Sequence, residues 1–204
     1  MNRSHSARLH SPARRLEEVG FGWRLMRLPG YHTGEYFLKV NRPLDLGKTV
    51  RSLPGRDLLA IEFVVTSDAR GKIRKYRVLT IDGQPFPLHL AVAKHWMVHF
   101  PTADMPDSPE HRAEDARFLE DMPGALGPDV MAALGRIAET MSLDYGGVDF
   151  SLDRDGQVVV WEANATMVAP APSSEARWDY RRPAVARVHS AVRRMLLRRA
   201  GEGA

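Results

Sequence analysis

The sequence predicts an α+β protein in which antiparallel sheets are flanked by helices. Two observations indicate this class: strand-like and helix-like segments interleave along the 204 residues, and several strand pairs are joined by tight turns. Tight turns connect antiparallel neighbours, whereas parallel strands need long crossover connections. Hydrophobic residues make up 44% of the chain and charged residues 26%, which is typical of a globular protein with a sizeable core.

The first third of the chain is predicted to contain one helix and three strands. Ser11 and Pro12 suit the start of a short helix, and Gly20 suits its end. The predicted strands cover 21–28, 35–40 and the largely apolar segment 57–65. Residues 29–34 form a loop with two glycines between the first two strands, which indicates a hairpin.

The remaining two thirds contain two further predicted hairpins. Residues 73–81 and 85–92 flank an Asp-Gly turn, and 147–153 and 157–163 flank the turn Arg-Asp-Gly. In the first of these strands the period of two places Lys75 and Arg77 on the same side as Leu79. Three helices are predicted over 108–122, 128–142 and 183–199, the first of them capped by Ser108 with Pro109 in its first turn.

Composition excludes several kinds of chemistry. The chain has no cysteine, which rules out disulfides, thiolate nucleophiles and cysteine-bound zinc. No apolar run approaches the roughly 20 residues that a membrane span needs, and the polar residues 1–12 lack the apolar centre of a signal peptide. We therefore expect a soluble, cytoplasmic protein.

The formal charge is +4 at pH 7, and arginines gather towards both ends of the chain. Those arginines are Arg3, Arg8, Arg14, Arg15, Arg193, Arg194, Arg198 and Arg199. Basic ends can contact nucleic acid or a membrane surface, but solvated helix faces give the same pattern. We interpret them as solvated faces and expect neither nucleic acid nor membrane as a partner.

Three oxygen-bearing side chains on the last predicted hairpin, 147–163, indicate a metal site. Asp149 and Glu162 lie on neighbouring strands, and Asn164 follows Glu162 by two positions, on the same face. Two carboxylates and one amide oxygen form the hard donor set that Mg²⁺ prefers. Glu162 also continues the apolar run 158–161, where a carboxylate is costly without compensation. Composition alone equally allows a cross-strand polar pair and a strand-ending Asn.

The same hairpin carries a family resemblance. Gly-Val-Asp-Phe at 147–150, the turn, and Glu-Ala-Asn-Ala-Thr-Met at 162–167 resemble the C-terminal metal-binding segment of ATP-grasp enzymes. The resemblance implies two lobes with antiparallel sheets and a nucleotide cleft between them. It also implies that Asp149, Glu162 and Asn164 hold magnesium against the phosphates of ATP.

The resemblance extends towards the start of the chain. The strand ending at Arg27 and the following Pro-Gly-Tyr-His-Thr-Gly segment are similar to the strand and glycine-rich loop that cover the phosphates in this family. Arg27 stands where the family commonly has Lys. The loop residues implied in cofactor binding are Gly30, His32, Thr33 and Gly34. Segment 60–65 resembles the link between the lobes, which implies adenine contacts at Glu62 and Val64; otherwise it is a plain buried strand.

Residues between these motifs are implied in catalysis. Arg77 matches the strand arginine that the family uses at the terminal phosphate, although an exposed charged sheet face gives the same pattern. His89, Lys94 and His99 belong to a dense patch of histidine, lysine and tryptophan, which the resemblance places at the acyl-phosphate or acceptor side. A zinc site of three histidines is a rival hypothesis, but the patch contains no carboxylate.

The resemblance covers roughly residues 20–190 and is greatest to RimK-like and glutathione-synthetase-like domains, in particular those of bacterial proteins with tetratricopeptide repeats. It predicts a partial N-terminal lobe over 1–60 and a C-terminal lobe over 61–204. These enzymes usually carry a preceding α/β domain, for which the residues before Arg27 are too few. We therefore expect the C-terminal portion of such an enzyme: truncated, reduced, or completed by a partner chain.

The leading functional hypothesis is a carboxylate–amine or carboxylate–thiol ligase that uses ATP and Mg²⁺ through an acyl phosphate, with small-molecule substrates. The alternative is a non-catalytic nucleotide-binding module that needs a partner chain. A third hypothesis, a nucleic-acid binder using the basic ends, depends on charge alone.

Overall fold

The structure is a computed structural model that describes residues 6–9, 23–27, 29, 35–55 and 58–201, with 6–9 and 23–27 described by their backbone alone. The chain divides into two units, Met1–Val65 and Thr66–Ala204. Each unit contains one four-stranded sheet in which all neighbouring strands are antiparallel. The predicted α+β class with antiparallel sheets is confirmed.

The first unit contains four strands in the spatial order β1-β4-β2-β3. They are β1 Ser6–Leu9, β2 Trp23–Arg27, β3 Phe37–Lys39 and β4 Leu58–Glu62. The predicted hairpin of 21–28 with 35–40 is confirmed by the pairing of β2 with β3, in which Arg27 lies opposite Phe37. A short helix, α1 Leu46–Ser52, was not predicted. The predicted helix that ends at Gly20 lies outside the described residues.

The second unit contains the two predicted hairpins in one sheet with the order β6-β5-β7-β8. The strands are β5 Ile73–Ile81, β6 Gln84–Ala93, β7 Tyr145–Leu152 and β8 Val158–Asn164. Asp82 and Gly83 close the first hairpin with φ of 49° and 73°. Two positive φ values are what a two-residue type I′ turn requires, so the predicted turn chemistry fixes the register here.

Helices pack against one face of this sheet. They are α2 Pro109–Glu120, α3 Met122–Leu126 and α4 Pro128–Met141. Ser108 caps α2 as predicted, since its side chain accepts a hydrogen bond from the His111 N–H. On the covered face Tyr76 stacks on Phe150 and meets Phe118 edge-on, which anchors the larger core cluster.

The opposite face is divided into an apolar half and a polar half. Leu79, Ile81 and Leu88 form the apolar half and pack against the last helix, α5 Arg182–Arg199. Further along β5 the same face carries Lys75 and Arg77. The switch from leucine and isoleucine to lysine and arginine marks where the covering helix ends and a polar surface begins.

Strand β8 is exposed, which corrects one sequence argument. The apolar run 158–161 led us to expect that a carboxylate at Glu162 is costly without compensation, but β8 is the edge of its sheet. Val160 is 39% and Trp161 is 43% exposed, and Glu162 is exposed as well. The apolar run therefore gives no sign of a buried carboxylate.

The basic end of α5 pairs with acidic groups. Arg198 contacts Asp82, and Arg199 contacts Asp144. These contacts support the interpretation of this end as a solvated helix face. None of the helices in the described ranges has the length and apolar character that crossing a lipid bilayer demands.

Candidate functional site

Four side chains that the resemblance implies in the site form a row across the polar half of the sheet. Cross-strand pairing places Glu162 opposite Asp149, Asp149 opposite Arg77, and Arg77 opposite His89. Residues that are directly opposite each other project from the same face. The register therefore collects on one surface four residues that the sequence takes from four different strands.

Two β-bulges make this row. In β8, Phe150 pairs with Val160 and Asp149 pairs with Glu162, so that Trp161 is an extra residue. In a regular ladder Trp161 would oppose Asp149, and Glu162 would lie on the helix-covered face. The Trp161 indole N–H donates to the Ser151 hydroxyl at 2.7 Å and holds the bulge in place.

The second bulge lies at the other end of the row. Arg77 pairs with His89, whereas Val78 pairs with Pro87, which leaves Leu88 as the extra residue. A regular ladder would place His89 opposite Tyr76, on the helix-covered face. Bulges next to active sites commonly re-aim side chains in this way.

Asp149 is the buried centre of the row and is only 1% exposed. Arg77 donates to it through two bonds, Nε to Oδ1 at 2.6 Å and Nη2 to Oδ2 at 2.8 Å. Lys75 Nζ lies 2.9 Å from Oδ2. Burial acts to raise the pKa of Asp149, but the bonds from Arg77 and the charge of Lys75 outweigh it and hold the pKa below its ordinary value. The carboxylate is therefore ionised at neutral pH.

Glu162 and Asn164 complete the predicted metal set. Asn164 lies opposite Gly147, so it shares the face of Asp149 and Glu162, and its Nδ2 donates to Glu162 Oε1 at 2.6 Å. Among the described residues no three His, Asp or Glu side chains are arranged to hold a metal ion. The candidate set thus has two carboxylates and depends on the Asn164 amide, whose Oδ1 accepts from the Thr166 N–H at 2.8 Å.

The local charges decide what kind of ion fits. Lys75 and Arg77 already balance the two carboxylates of Asp149 and Glu162. A free Mg²⁺ would leave two positive charges in excess, whereas a magnesium ion bound to a nucleotide phosphate chain brings its own negative charge. The oxygen donors suit Mg²⁺, and the charge balance suits it as a magnesium–nucleotide complex.

Gly147 leaves room for this surface to pack. A Cβ atom at this position would lie 2.6 Å from Met167 Sδ and 2.7 Å from Leu79 Cδ2. Both contacts are too short for real atoms, so the glycine in the motif Gly-Val-Asp-Phe has a packing role. It lets Met167 close over the sheet beside Asn164.

We expect Gly147→Ala to lower the free energy of unfolding by about 1–3 kcal/mol, because the added methyl overpacks this contact. Gly135→Ala is the matched control, since a Cβ there meets no atom within 4 Å and alanine favours the helix. Urea unfolding of both variants measures the difference. Equal stabilities would contradict the packing role of Gly147.

The three other residues implied in catalysis are placed differently. His89 is buried, and burial together with the charges of Arg77 and Arg181 holds its pKa well below 6.5, so the ring is neutral. Burial and Lys75 also lower the pKa of His99, whose Nε2 has no hydrogen-bond partner among the described residues. Lys94 is exposed, and none of its described contacts joins its side chain to the row.

The residues implied in covering the nucleotide belong to the first unit. Gly30, His32, Thr33 and Gly34 lie outside the described residues, and Arg27 is described by its backbone in β2. Glu62 ends β4 and is exposed, and Val64 is half-buried just before the boundary between the units. Their roles in nucleotide binding stay predictions.

Sequence reasoning missed Lys75 and Arg181 as site residues. The period of two had already placed Lys75 beside Arg77, and that signal was sufficient to include it. Arg181 lies on a different element, the 3₁₀ segment Ala176–Arg181, and approaches the row from outside the sheet. Its guanidinium lies 4.2 Å from the Phe100 ring centroid, and that ring lies 4.7 Å from His89.

The buried carboxylate of Asp115 lies 3.8 Å from Arg181 Nε. Asp115 has no exposed surface and accepts from the Leu90 N–H and the Tyr180 hydroxyl, each at 2.7 Å. Burial raises the pKa of Asp115 to about 6, against the effect of these hydrogen bonds. The group is therefore a source of pH-dependent stability.

We expect Asp115→Asn to flatten the dependence of stability on pH. A raised folded-state pKa contributes stability below pH 3.8 that is lost as pH rises towards 6, by roughly 3 kcal/mol in all. Without a charge, Asn can accept from the Leu90 N–H and donate to the Tyr180 hydroxyl oxygen, so its variant lacks this loss. Urea unfolding at pH 4 and pH 7 tests this; a wild type that loses no more stability than the variant would contradict it.

Solved structures share this arrangement of elements. The chain is similar to the macrocyclase MdnC of Microcystis aeruginosa, bound with precursor peptide MdnA, with 12% identity, a TM-score of 0.53, and coverage of 96% of this chain and 54% of that one. It is also similar to the ATP-grasp ligase PsnB, complexed with a phosphomimetic variant of minimal precursor, Mg and ADP. That likeness has 16% identity, a TM-score of 0.50, and coverage of 92% and 52%.

These likenesses show the fold, and the chain spans about half the length of the structures that it matches. The sequence matches no protein-family model and no curated protein.

Proposed function

Because the chain has the ATP-grasp fold, we propose that it is the magnesium- and ATP-binding part of a carboxylate–amine or carboxylate–thiol ligase. The observation that carries the proposal is the row of Glu162, Asp149 and Arg77 on one face of the sheet. It offers two carboxylates for a metal ion directly beside a guanidinium for phosphate. A structural ion pair alone would not need the second, exposed carboxylate.

In the proposed reaction an oxygen of the substrate carboxylate attacks the γ-phosphorus of ATP and ADP leaves. An amine or thiol then attacks the acyl carbon of the acyl phosphate, loses its proton, and displaces inorganic phosphate. Asp149, Glu162 and Asn164 would hold magnesium, which would supply charge neutralisation for the phosphoryl group. Arg77 uses two of its five N–H donors on Asp149 and retains donors for a phosphate oxygen.

His89 and His99 border the acceptor end of the row. Both have lowered pKa values, so they offer neutral nitrogen atoms and add no positive charge to a surface that already contains Lys75 and Arg77. A neutral imidazole can accept the proton of an attacking amine. MdnC was solved with a precursor peptide and PsnB with a variant of its minimal precursor, which supports including peptides in the proposed substrate class.

Calorimetry and ADP release test this proposal. We expect no measurable binding of Mg²⁺ alone, binding of ADP with Mg²⁺, and ADP release when ATP, Mg²⁺ and a pool of amino acids and short peptides are supplied together. Binding without any turnover would favour the non-catalytic nucleotide-binding module instead. Absence of nucleotide binding in the presence of Mg²⁺ would contradict both.

A further inference from the structure

Arg181 is a nearly buried cation whose hydrogen-bonding capacity is largely unused. Its side chain is only 12% exposed. Nη2 donates to the Leu88 carbonyl at 3.3 Å, whereas Nε is buried and has no hydrogen-bond partner in the described part of the chain. A guanidinium has five N–H donors, and leaving the buried Nε–H unpaired away from water is costly.

The neighbouring carboxylate does not use these donors. Asp115 Oδ2 lies 3.8 Å from Arg181 Nε, which is too long for a hydrogen bond. Both oxygens of Asp115 already accept bonds from the Leu90 N–H and the Tyr180 hydroxyl. Asp115 therefore attracts Arg181 by charge without forming a hydrogen bond to Nε. The contact with Phe100 holds the plane of the guanidinium without using a donor.

The position of Arg181 indicates which anion it would bind. Phe100 joins it to His89, at the β6 end of the row, whereas the metal set lies on β7 and β8. Three strand spacings separate Glu162 from His89, about 14 Å at the usual distance between strands. Arg77 lies between them, one strand from His89. An anion at Arg181 would thus lie beyond the phosphate-binding arginine, next to where the γ-phosphoryl group would end.

We propose that Arg181 binds the substrate carboxylate that is to be phosphorylated, an inference that rests on the proposed ligase function. Lys75 and Arg77 pair with Asp149, and the remaining donors of Arg77 are assigned to phosphate, while Arg181 has no hydrogen-bonded carboxylate partner among the described residues. Its planar fork matches a carboxylate. Asp115 and Tyr180 are positioning residues, since they contact Arg181 or its ion pair and not the ligand.

Saturation-transfer NMR on the methylene protons of succinate, used as a carboxylate probe, tests this assignment. The proteins are wild type, Arg181→Met, Arg181→Lys, and Arg194→Met as a control at an exposed arginine of α5, the helix that follows Arg181. We expect the affinity for succinate to fall at least tenfold in Arg181→Met and at least threefold in Arg181→Lys, with Arg194→Met unchanged. Arg181→Lys keeps a charge beside Asp115, and it therefore reports on binding even if Arg181→Met does not fold.

Competition by inorganic phosphate tests whether the site prefers a carboxylate or a phosphate. We expect phosphate to displace succinate only at concentrations above those at which succinate itself saturates the site. Displacement at lower concentrations, an absent succinate signal in the wild type, or equal affinity in wild type and Arg181→Lys would each overturn the assignment. Calorimetric titration of the same four proteins with ADP and Mg²⁺ reports separately on the proposed function, because nucleotide binding does not depend on Arg181.

Discussion

Glu162→Gln is expected to reduce ADP release about 100-fold, and to weaken ADP binding in the presence of Mg²⁺ at least tenfold, without loss of stability. The substitution removes one of the two carboxylates that would hold the metal, and such charge stabilisation contributes several kcal/mol. Glu162 is exposed, and Gln can still accept the hydrogen bond from Asn164. The free energy of unfolding should change by no more than about 0.5 kcal/mol.

The control for this prediction is Glu139→Gln, an exposed glutamate on α4. It removes the same charge from the protein surface and should leave both nucleotide binding and stability unchanged. Calorimetry and urea unfolding of the two variants separate a metal ligand from a structural residue. If Glu162→Gln bound nucleotide as tightly as Glu139→Gln, the assignment of Glu162 to the metal set would be wrong.

Arg77→Met should destabilise the fold, by about 2–3 kcal/mol at pH 7, and should also abolish turnover. It leaves the buried Asp149 with Lys75 as its one described cationic partner, and breaking a buried pair from one side is costly. The loss should shrink as pH falls. The wild type loses stability when Asp149 is protonated below its lowered pKa, whereas in the variant burial dominates and protonation relieves the unpaired charge.

The double variant Arg77→Met with Asp149→Asn checks the cause. Asparagine removes the buried carboxylate that has lost its arginine partner, so the double variant should be more stable than Arg77→Met alone. Urea unfolding of the single and double variants gives the coupling between the two sites. A double variant as unstable as the sum of the single changes would mean that the arginine contributes by packing and not by charge.

Local signals in the sequence were sufficient to predict many of the strands, turns and helices of the second unit. Strand β5 has the predicted bounds of 73–81, and the turn at Asp82 and Gly83 has the predicted chemistry, because alternation and turn residues act over a few positions. Helix α1 was not predicted, because its own local signals are weak. It spans seven residues, has no side-chain cap and buries no residue completely, so its local pattern is weak.

The parts of the site that could not be predicted depend on distant contacts. Arg181 bonds to a carbonyl 93 positions away, and nothing near it in the sequence indicates that partner. The exposure of β8 follows from its place at the sheet edge, and three successive valines suggest the opposite. The pairing of Asp149 with Glu162 was expected, but the extra residue that brings it about leaves no mark in the pattern of polar and apolar residues.

The extra residue at Trp161 also affects sequence searches for related hairpins that use the interval between the two acidic residues. If Trp161 were deleted, Glu162 would follow Val160 directly and would still face Asp149, now in an uninterrupted ladder. Chains whose two acidic positions are separated by one residue fewer can therefore present the same pair in space. A search template with a fixed interval would discard them, while one that allows a single-residue gap in the second strand would retain them.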